Sequence, residues 1–251
     1  MRITRKLCWL SLVTFLFTAC TTQVPSPTGV PPLVGEKAVV SPARDKTYLD
    51  AGQIDTTRFL APPPDEAVAR REIEQMLVLQ QQRTPAQAER SIADLEQSVF
   101  RFSDVMGDRF RKEDLPRTAK LFETLYKTES NLNKQAKEKW QRMRPPLFDK
   151  RIQPVARYSS SGSYPSGHST FAYLASIVLA EMAPEKRAQI FARTSEFGEN
   201  RVLGGVHYPS DIEAGRRLAT MIAVLIQGNP AYQGDFAAAR EELRAWVDLD
   251  R

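Results

Sequence analysis

Apolar residues recur at intervals of three and four positions over most of the chain from residue 65 onward. The clearest example is Phe171, Leu174, Ala175 and Val178, which stand at i, i+3, i+4 and i+7, the spacing of one face of an α-helix. No stretch alternates apolar and polar residues as a half-buried strand would, and no segment repeats another. The pattern therefore predicts an all-α fold in a single domain.

Capping residues and prolines mark where these helices begin and end. Asp65 and Thr84 are good N-cap residues, and a proline follows Thr84 at the first helical position. The Pro-Pro pair that begins at Pro145 ends a helix that runs to Met143, because the residue before a proline resists helical angles. The predicted helices cover, within a few residues, 65–82, 84–99, 116–143, 166–182, 184–203, 209–225 and 230–246.

The first 20 residues have the pattern of a bacterial export signal. Three basic residues precede the apolar run 7–17, which is short for a bilayer span, and Thr18-Ala19-Cys20 follows it. Thr-Ala-Cys resembles a lipobox, in which the cysteine is lipidated and becomes the new N-terminus. Because Phe17 stands where leucine is usual, a plain secretory signal is the alternative.

The composition after this signal predicts the remaining organisation. Residues 21–45 are rich in Pro, Thr, Val and Gly, which is typical of a flexible tether, and residues 46–251 form the expected folded domain. No other segment is long and apolar enough to be transmembrane. We therefore expect a periplasmic protein anchored to the outer membrane through Cys20, or a soluble periplasmic or secreted protein if the signal is of the plain kind.

Charge and cysteine content narrow the expected partners. The formal charge is +5, and residues 1–19 supply three of the positive charges, which leaves +2 for the mature chain and no argument for nucleic acid. The two cysteines, Cys8 and Cys20, lie within or at the edge of the signal, so the mature domain has no disulfide of its own. Such an exported domain must be stabilised by its hydrophobic core.

The stretch 162–170, Gly-Ser-Tyr-Pro-Ser-Gly-His-Ser-Thr, precedes the most regular apolar helix pattern. Ser166 is a candidate N-cap, and the N–H groups around Gly167 and His168 would then point out of a helix N-terminus, where the macrodipole favours an anion. The stretch therefore predicts a phosphate site beside an imidazole. An ordinary helix start that happens to contain a histidine is the alternative.

The chain has only two histidines, and the second, His207, lies in a loop after Gly204-Gly205. Arg201 falls in the last turn of the preceding helix. Asp211 lies in the first turn of the next helix, where its carboxylate could hold one ring nitrogen of His207 and leave the other free as a nucleophile or base. A carboxylate that only caps its own helix is the alternative.

Two basic residues upstream are candidates for binding the same anion. Lys137 and Arg144 are seven residues apart, which on a continuous helix is two turns, or roughly 10 Å. Both long side chains could then converge on one dianion, with Arg gripping two oxygens and Lys supplying a point charge. The alternative is that the basic run 134–151 is a solvated face.

Taken together, these pieces resemble a known signature. Lys-x6-Arg-Pro is met by 137–145, Pro-Ser-Gly-His by 165–168, and Ser-Arg-x5-His-x3-Asp by 200–211. The three motifs resemble the phosphatidic-acid-phosphatase type 2 superfamily, which also contains the vanadium haloperoxidases. More narrowly, 162–168 is similar to the bacterial class A non-specific acid phosphatases. The resemblance covers 48–246 and implies the helical bundle of that superfamily.

The resemblance also implies roles for particular residues. His207 would be the nucleophile that forms a phosphohistidine, Asp211 would orient it, and His168 would protonate the leaving alcohol. No metal or other cofactor is implied, activity is expected on the acidic side of neutrality, and a homodimer is expected. The groups implied to hold the phosphoryl oxygens are Lys137, Arg144, Arg201 and the N–H groups of Ser166 and Gly167.

The chain departs from the family pattern at two positions. Asn200 replaces the serine of the third motif, and Ser169 stands where threonine is usual. Because asparagine still forms hydrogen bonds, we expect these changes to tune the site without destroying it. The lipobox and tether are also unusual for secreted members.

Four hypotheses follow. The first is a periplasmic, metal-independent acid phosphatase that acts on small phosphate monoesters. The second is a lipid phosphate or diphosphate phosphatase at the membrane. The third is a vanadate-dependent haloperoxidase, and the fourth is a phosphate-binding lipoprotein without catalytic activity, which would leave the His207–Asp211 pair unexplained.

Overall fold

The computed structural model describes residues 46–249. The predicted export signal, the lipobox cysteine Cys20 and the tether lie outside these residues. Within them the chain forms helices joined by turns and contains no strand, which confirms the all-α prediction. The α-helices are α1 (Glu66–Gln82), α2 (Pro85–Ala93), α3 (Ser103–Met106), α4 (Pro116–Trp140), α5 (Pro145–Phe148), α6 (Gly167–Met182), α7 (Arg187–Leu203), α8 (Pro209–Leu225) and α9 (Pro230–Leu249).

The predicted caps are present at three helix starts. The Oδ1 atom of Asp65 accepts the N–H of Val68 at 2.9 Å. Thr84 and Gln87 form a reciprocal capping box at the start of α2. The hydroxyl of Ser166 accepts the N–H of Ser169 at 3.3 Å, so α6 begins where the sequence predicts.

Two predicted helix ends are wrong. Helix α4 ends at Trp140 and does not reach Met143, because Gln141 is left-handed at φ 42° and ψ 38°. Arg144 is extended at φ −71° and ψ 152°, as a residue before proline prefers. Helix α2 ends at Ala93 and not near Val99; a 3₁₀ turn over Val99–Phe102 and the short α3 follow it.

Helix α6 lies at the centre of the bundle and packs against α4, α7 and α8. Its apolar residues, including Leu174 and Val178, are fully buried. The approach of α6 to α8 requires a glycine: a Cβ at Gly215 would lie 2.7 Å from the carbonyl oxygen of Ser166 and 2.8 Å from Cβ of Ser169. The N-terminus of α6 is thus held directly against the first turns of α8.

Among residues 46–249, no helix has the length and apolar character that crossing a bilayer requires.

Candidate active site

The three sequence motifs meet at one cavity of about 930 Å³. The motif residues lining it come from the end of α4, the segment before α5, the start of α6, the end of α7 and the loop before α8. They are Lys137, Arg144, Gly167, His168, Arg201 and His207. Both imidazoles and all three predicted cations therefore face the same space.

The ring of His207 is held at both nitrogens. Its Nδ1 lies 3.1 Å from Oδ2 of Asp211, the contact predicted from their spacing. Its Nε2 lies 3.2 Å from Nη1 of Arg144. A guanidinium can only donate, so Nε2 must be the acceptor and the proton must sit on Nδ1. Asp211 also accepts the N–H of Tyr208 at 3.0 Å, so it caps α8 and orients the ring at once.

Burial determines the protonation state of this pair. It lowers the pKa of His207 to about 4, opposed by the hydrogen bond to Asp211 and reinforced by the charge of Arg144. Burial alone would raise the pKa of Asp211, but the His207 contacts and the charge of Arg142 bring it below its usual value. Above pH 4 the pair is therefore a neutral imidazole beside a carboxylate, and the lone pair on Nε2, which accepts from Arg144, carries no proton.

His168 is held by a different kind of partner. Its Nε2 lies 3.0 Å from the carbonyl oxygen of Leu95, which follows α2. A carbonyl only accepts, so Nε2 carries a proton and Nδ1 is the nitrogen left for proton exchange. Burial, followed by the charge of Arg201 and by repulsion from His207 when both rings are protonated, lowers the pKa of His168 to about 3. A phosphate dianion among these cations would raise that pKa again.

Arg201 lies in the last turn of α7, as predicted, and it is fully buried. Its Nη2 donates to the carbonyl oxygen and, at 3.3 Å, to Oγ of Ser91. Its Nε and Nη1 have no acceptor among residues 46–249. Burial lowers its pKa to about 10, which still leaves it charged at neutral pH. Buried unpaired donors of a cation are costly, so this side chain is suited to an anion in the cavity.

Lys137 and Arg144 converge on the cavity without sharing a helix face, which corrects the geometry expected from their spacing. Lys137 donates from Nζ to the carbonyl oxygen of Gly162 at 2.9 Å, and burial followed by the charge of Arg144 lowers its pKa to about 8. Arg144 donates from Nε to the carbonyl oxygen of Ser161 and from Nη1 to that of Val206, both at 3.1 Å. With 5% of its surface exposed, Arg144 does not belong to a solvated face.

The role expected for the backbone of Ser166 needs correction. Its N–H donates to the carbonyl oxygen of Asp211 at 3.0 Å and is not available to a phosphoryl group. Ser166 instead ties the start of α6 to α8. The neighbouring Gly167 lines the cavity, and its N–H has no acceptor within the described part of the chain, so only this N–H retains the predicted role.

Asn200 supports the site from behind. Its Nδ2 donates to Oδ2 of Asp94 at 2.8 Å, and Asp94 also pairs with Arg193. The asparagine that replaces serine at this position therefore donates a hydrogen bond to a buried carboxylate at the end of α2. Ser169, the other departure, donates from Oγ to the carbonyl oxygen of Ile212 at 2.8 Å.

Sequence reasoning missed three residues at or near the cavity. Arg142 donates to Asp211, and Glu72 pairs with Arg142. Glu129 lines the cavity with 1% of its surface exposed, and burial raises its pKa well above the usual value, so at acidic pH it is neutral and does not repel a phosphate. Of the three, only Arg142 could have been found from the sequence, because it lies inside the Lys-x6-Arg motif. No group of three His, Cys, Asp or Glu side chains suited to a metal occurs within residues 46–249.

Comparisons with known proteins find similarity over the part of the chain that carries the three motifs. A model of the PAP2 superfamily matches residues 125–233, which contain all three motifs. The chain is 29% identical over 230 residues to a non-specific acid phosphatase of Providencia stuartii, across 82% of this chain and 90% of that protein. It is 36% identical over 152 residues to a non-specific acid phosphatase of Salmonella typhimurium, across 57% of this chain and 59% of that protein.

Residues 125–233 are thus similar to the PAP2 superfamily. The chain is also similar to bacterial proteins named non-specific acid phosphatase, as the class A resemblance of 162–168 predicts. The crystal structure of a transmembrane PAP2 type phosphatidylglycerolphosphate phosphatase from Bacillus subtilis has a TM-score of 0.49 and 21% identity over 65% of this chain and 86% of that chain. That likeness is too weak to add to the assignment.

Proposed function

We propose that this chain is an acid phosphatase that hydrolyses phosphate monoesters through a phosphohistidine at His207. The observation that carries the proposal is the unprotonated Nε2 of His207, held by Asp211 and Arg144 at a cavity lined by three cations. The match of residues 125–233 to the PAP2 superfamily and the similarity to named acid phosphatases support it.

In the first step, the lone pair on Nε2 of His207 forms a bond to phosphorus as the bond from phosphorus to the leaving oxygen breaks. His168, protonated in the complex with the anionic substrate, passes its Nδ1 proton to that oxygen, which leaves as the alcohol. The phosphoryl charge is balanced by Lys137, Arg144 and Arg201. Phosphoryl transfer needs mainly in-line positioning and such charge balance.

In the second step, water attacks phosphorus, gives a proton to His168, and the phosphorus–nitrogen bond breaks with its electron pair returning to Nε2. Phosphate leaves and His168 is again protonated. The three cations supply the charge that metal ions supply in other phosphatases, so we expect turnover that needs no cofactor and continues in EDTA.

The test is hydrolysis of 4-nitrophenyl phosphate at acidic pH with EDTA, together with transfer of labelled phosphate to the protein. We expect turnover that vanadate inhibits, and a label that is stable in alkali and lost in acid. His207→Ala should lose both, whereas Glu213→Gln, an exposed change on α8, should keep both. Turnover without label, or label that persists in His207→Ala, would refute the phosphohistidine.

A lipid phosphate as substrate is favoured by one specific observation. Four large apolar side chains that line the cavity are exposed: Tyr126, Met143, Leu147 and Tyr158. The acyl chains of a lipid alcohol, or the ring of an aryl ester, could cover this surface. Comparing kcat/KM for a lipid phosphate in detergent with that for a sugar phosphate or nucleotide tests it, and equal values would argue for small phosphate esters. Bromide oxidation that appears only with vanadate would instead indicate a haloperoxidase.

We further propose a periplasmic location, anchored to the outer membrane through Cys20, and a homodimeric assembly. Both rest on the sequence pattern and the family resemblance. Membrane fractionation of wild type and Cys20→Ala tests the anchor, since the variant should move to the soluble fraction. Light scattering of the purified protein tests the dimer.

A further inference from the structure

The carboxylate of Asp211 is held on both oxygens. Its Oδ2 receives His207 and the N–H of Tyr208, as described above. Its Oδ1 accepts a hydrogen bond from Nη1 of Arg142 at 2.6 Å. The side chain of Asp211 is 0% exposed and that of Arg142 is 8% exposed. Arg142 lies just past the end of α4, between Lys137 and Arg144, and it lines the same cavity. Unlike those two cations, it pairs with carboxylates, Asp211 and Glu72.

Arg142 is in turn held by Glu72 of α1. Its Nη2 lies 3.0 Å from Oε2 of Glu72, whose side chain is 10% exposed. Ser210 closes the arrangement: its N–H donates to Oε1 of Glu72 at 2.7 Å and its hydroxyl to Oε2 at 2.9 Å. The guanidinium also lies 3.9 Å above the ring of Tyr208. A continuous chain of contacts therefore runs from His207 through Asp211 and Arg142 to Glu72.

This series of contacts places two opposite charges, those of Arg142 and Glu72, on the Asp211 side of His207. A buried carboxylate with one imidazole partner would readily take up a proton, and the tautomer of His207 would then no longer be fixed. A guanidinium on the second oxygen prevents this. The same cation alone would disfavour a positive charge on His207, and the carboxylate of Glu72 offsets part of that effect.

We propose that Arg142 and Glu72 are positioning residues of the reaction at His207, and that their opposite charges together set the acid limit of that reaction. The inference rests on the proposed function for its kinetic consequence, but the state of the His207 ring can be measured without any turnover.

Other charged or titratable groups also interact with the His207–Asp211 pair and remain constant in the test. They are Lys137 of α4, Arg144 before α5, Tyr164 before α6, His168 of α6 and Tyr208 before α8, and Arg201 of α7 lines the same cavity. Because these groups are unchanged in every variant, a difference between variants reports the charges of Glu72 and Arg142 themselves.

The kinetic test compares Glu72→Gln, Arg142→Gln and the double variant in the full-length protein. Activity is lost on the acid side when His207 takes up a proton. In Arg142→Gln, which lacks the cation, the acid limb of the pH–activity profile should move to higher pH. In Glu72→Gln, which lacks the anion, it should move to lower pH. Each shift should be roughly 0.5 to 1 unit, with the double variant in between. Substrate ionisation is the same in all variants and cancels in the comparison.

Two controls separate this role from a general loss of stability. Glu74→Gln, on the same helix but in an exposed pair with Arg151, should leave the profile unchanged. Arg142→Lys keeps the charge and should restore most of the wild-type limb. Thermal unfolding of each variant shows whether it is folded at the assay temperature.

The second readout is the ¹⁵N spectrum of the imidazoles, which is simple because the chain has two histidines. We expect His207 to show the Nδ1–H form in wild type and Glu72→Gln, and a mixture of tautomers in Arg142→Gln. Limb shifts in the same direction for both single variants, or an unchanged tautomer and titration of His207 in Arg142→Gln, would overturn the proposal. A wild type without turnover but with these spectral changes would refute the phosphatase function and keep the positioning role.

Discussion

The two histidines of this chain occupy one cavity but differ in the partner that holds them. His207 has a carboxylate on Nδ1 and a guanidinium beside Nε2, whereas His168 has a neutral carbonyl on Nε2. Both have a lowered pKa, chiefly through burial. The difference shows that burial alone does not assign a role. A carboxylate stabilises the positive charge that a phosphorylated imidazole develops, and a carbonyl only fixes which nitrogen exchanges a proton.

Replacing Asp211, the carboxylate that contacts Nδ1 of His207, should cause the largest loss of activity. In Asp211→Asn the amide can donate to the ring and favour the wrong tautomer, so we expect kcat to fall about 10³-fold or more for every substrate. The measurement is kcat for esters with different leaving groups, with Glu213→Gln on the same helix as the control. A loss that depends on the leaving group would mean that Asp211 acts on the proton donor.

Removing the second histidine should instead give a loss that depends on the substrate. In His168→Ala we expect about 10² to 10³-fold lower kcat with an alkyl phosphate, whose leaving oxygen needs a proton. A 4-nitrophenyl ester needs little protonation and should be affected far less. Equal losses with both esters would remove the assignment of His168 as the acid.

The cations around the two rings predict a further pH effect. Burial and Arg144 lower the pKa of Lys137 to about 8, so its charge is lost as the pH rises through that value. We expect KM for a phosphate ester to rise above about pH 8, by up to about tenfold for one lost charge contact. Lys137→Arg stays charged there and should remove the rise. A KM that rises equally in both proteins would place the titrating group elsewhere.

We expect the smallest change from replacing Asn200, whose side chain contacts Asp94 and no group of the substrate site. Asn200→Ser restores the residue usual in the motif but removes a donor to the fully buried Asp94. Since Asp94 keeps its contacts with Arg193 and Arg101, we expect stability to fall by about 1 to 2 kcal/mol, seen as a lower Tm. Activity should change little. A large loss of kcat with unchanged Tm would show that Asn200 acts on the reaction directly.

Features that lie within one helical turn could be predicted from the amino-acid sequence. The caps at Asp65, Thr84 and Ser166, and the contact of His207 with Asp211 four residues away, follow from local backbone preferences. The order and spacing of the three motifs also gave the resemblance to the PAP2 superfamily, whose model matches residues 125–233. These features could be predicted because each depends on residues that the chain itself holds close together.

Tertiary structure decided everything that joins distant segments. Arg144 reaches the cavity because Gln141 turns the chain out of α4, and the N–H of Ser166 is taken by a carbonyl on α8. The contacts of Arg142 with Glu72 and of Asn200 with Asp94 span 70 and 106 residues. Hydrophobic periodicity predicts which face of a helix is buried, but it does not say which other helix covers that face or at what angle. The partners of buried charges are set by that packing, and no local pattern records it.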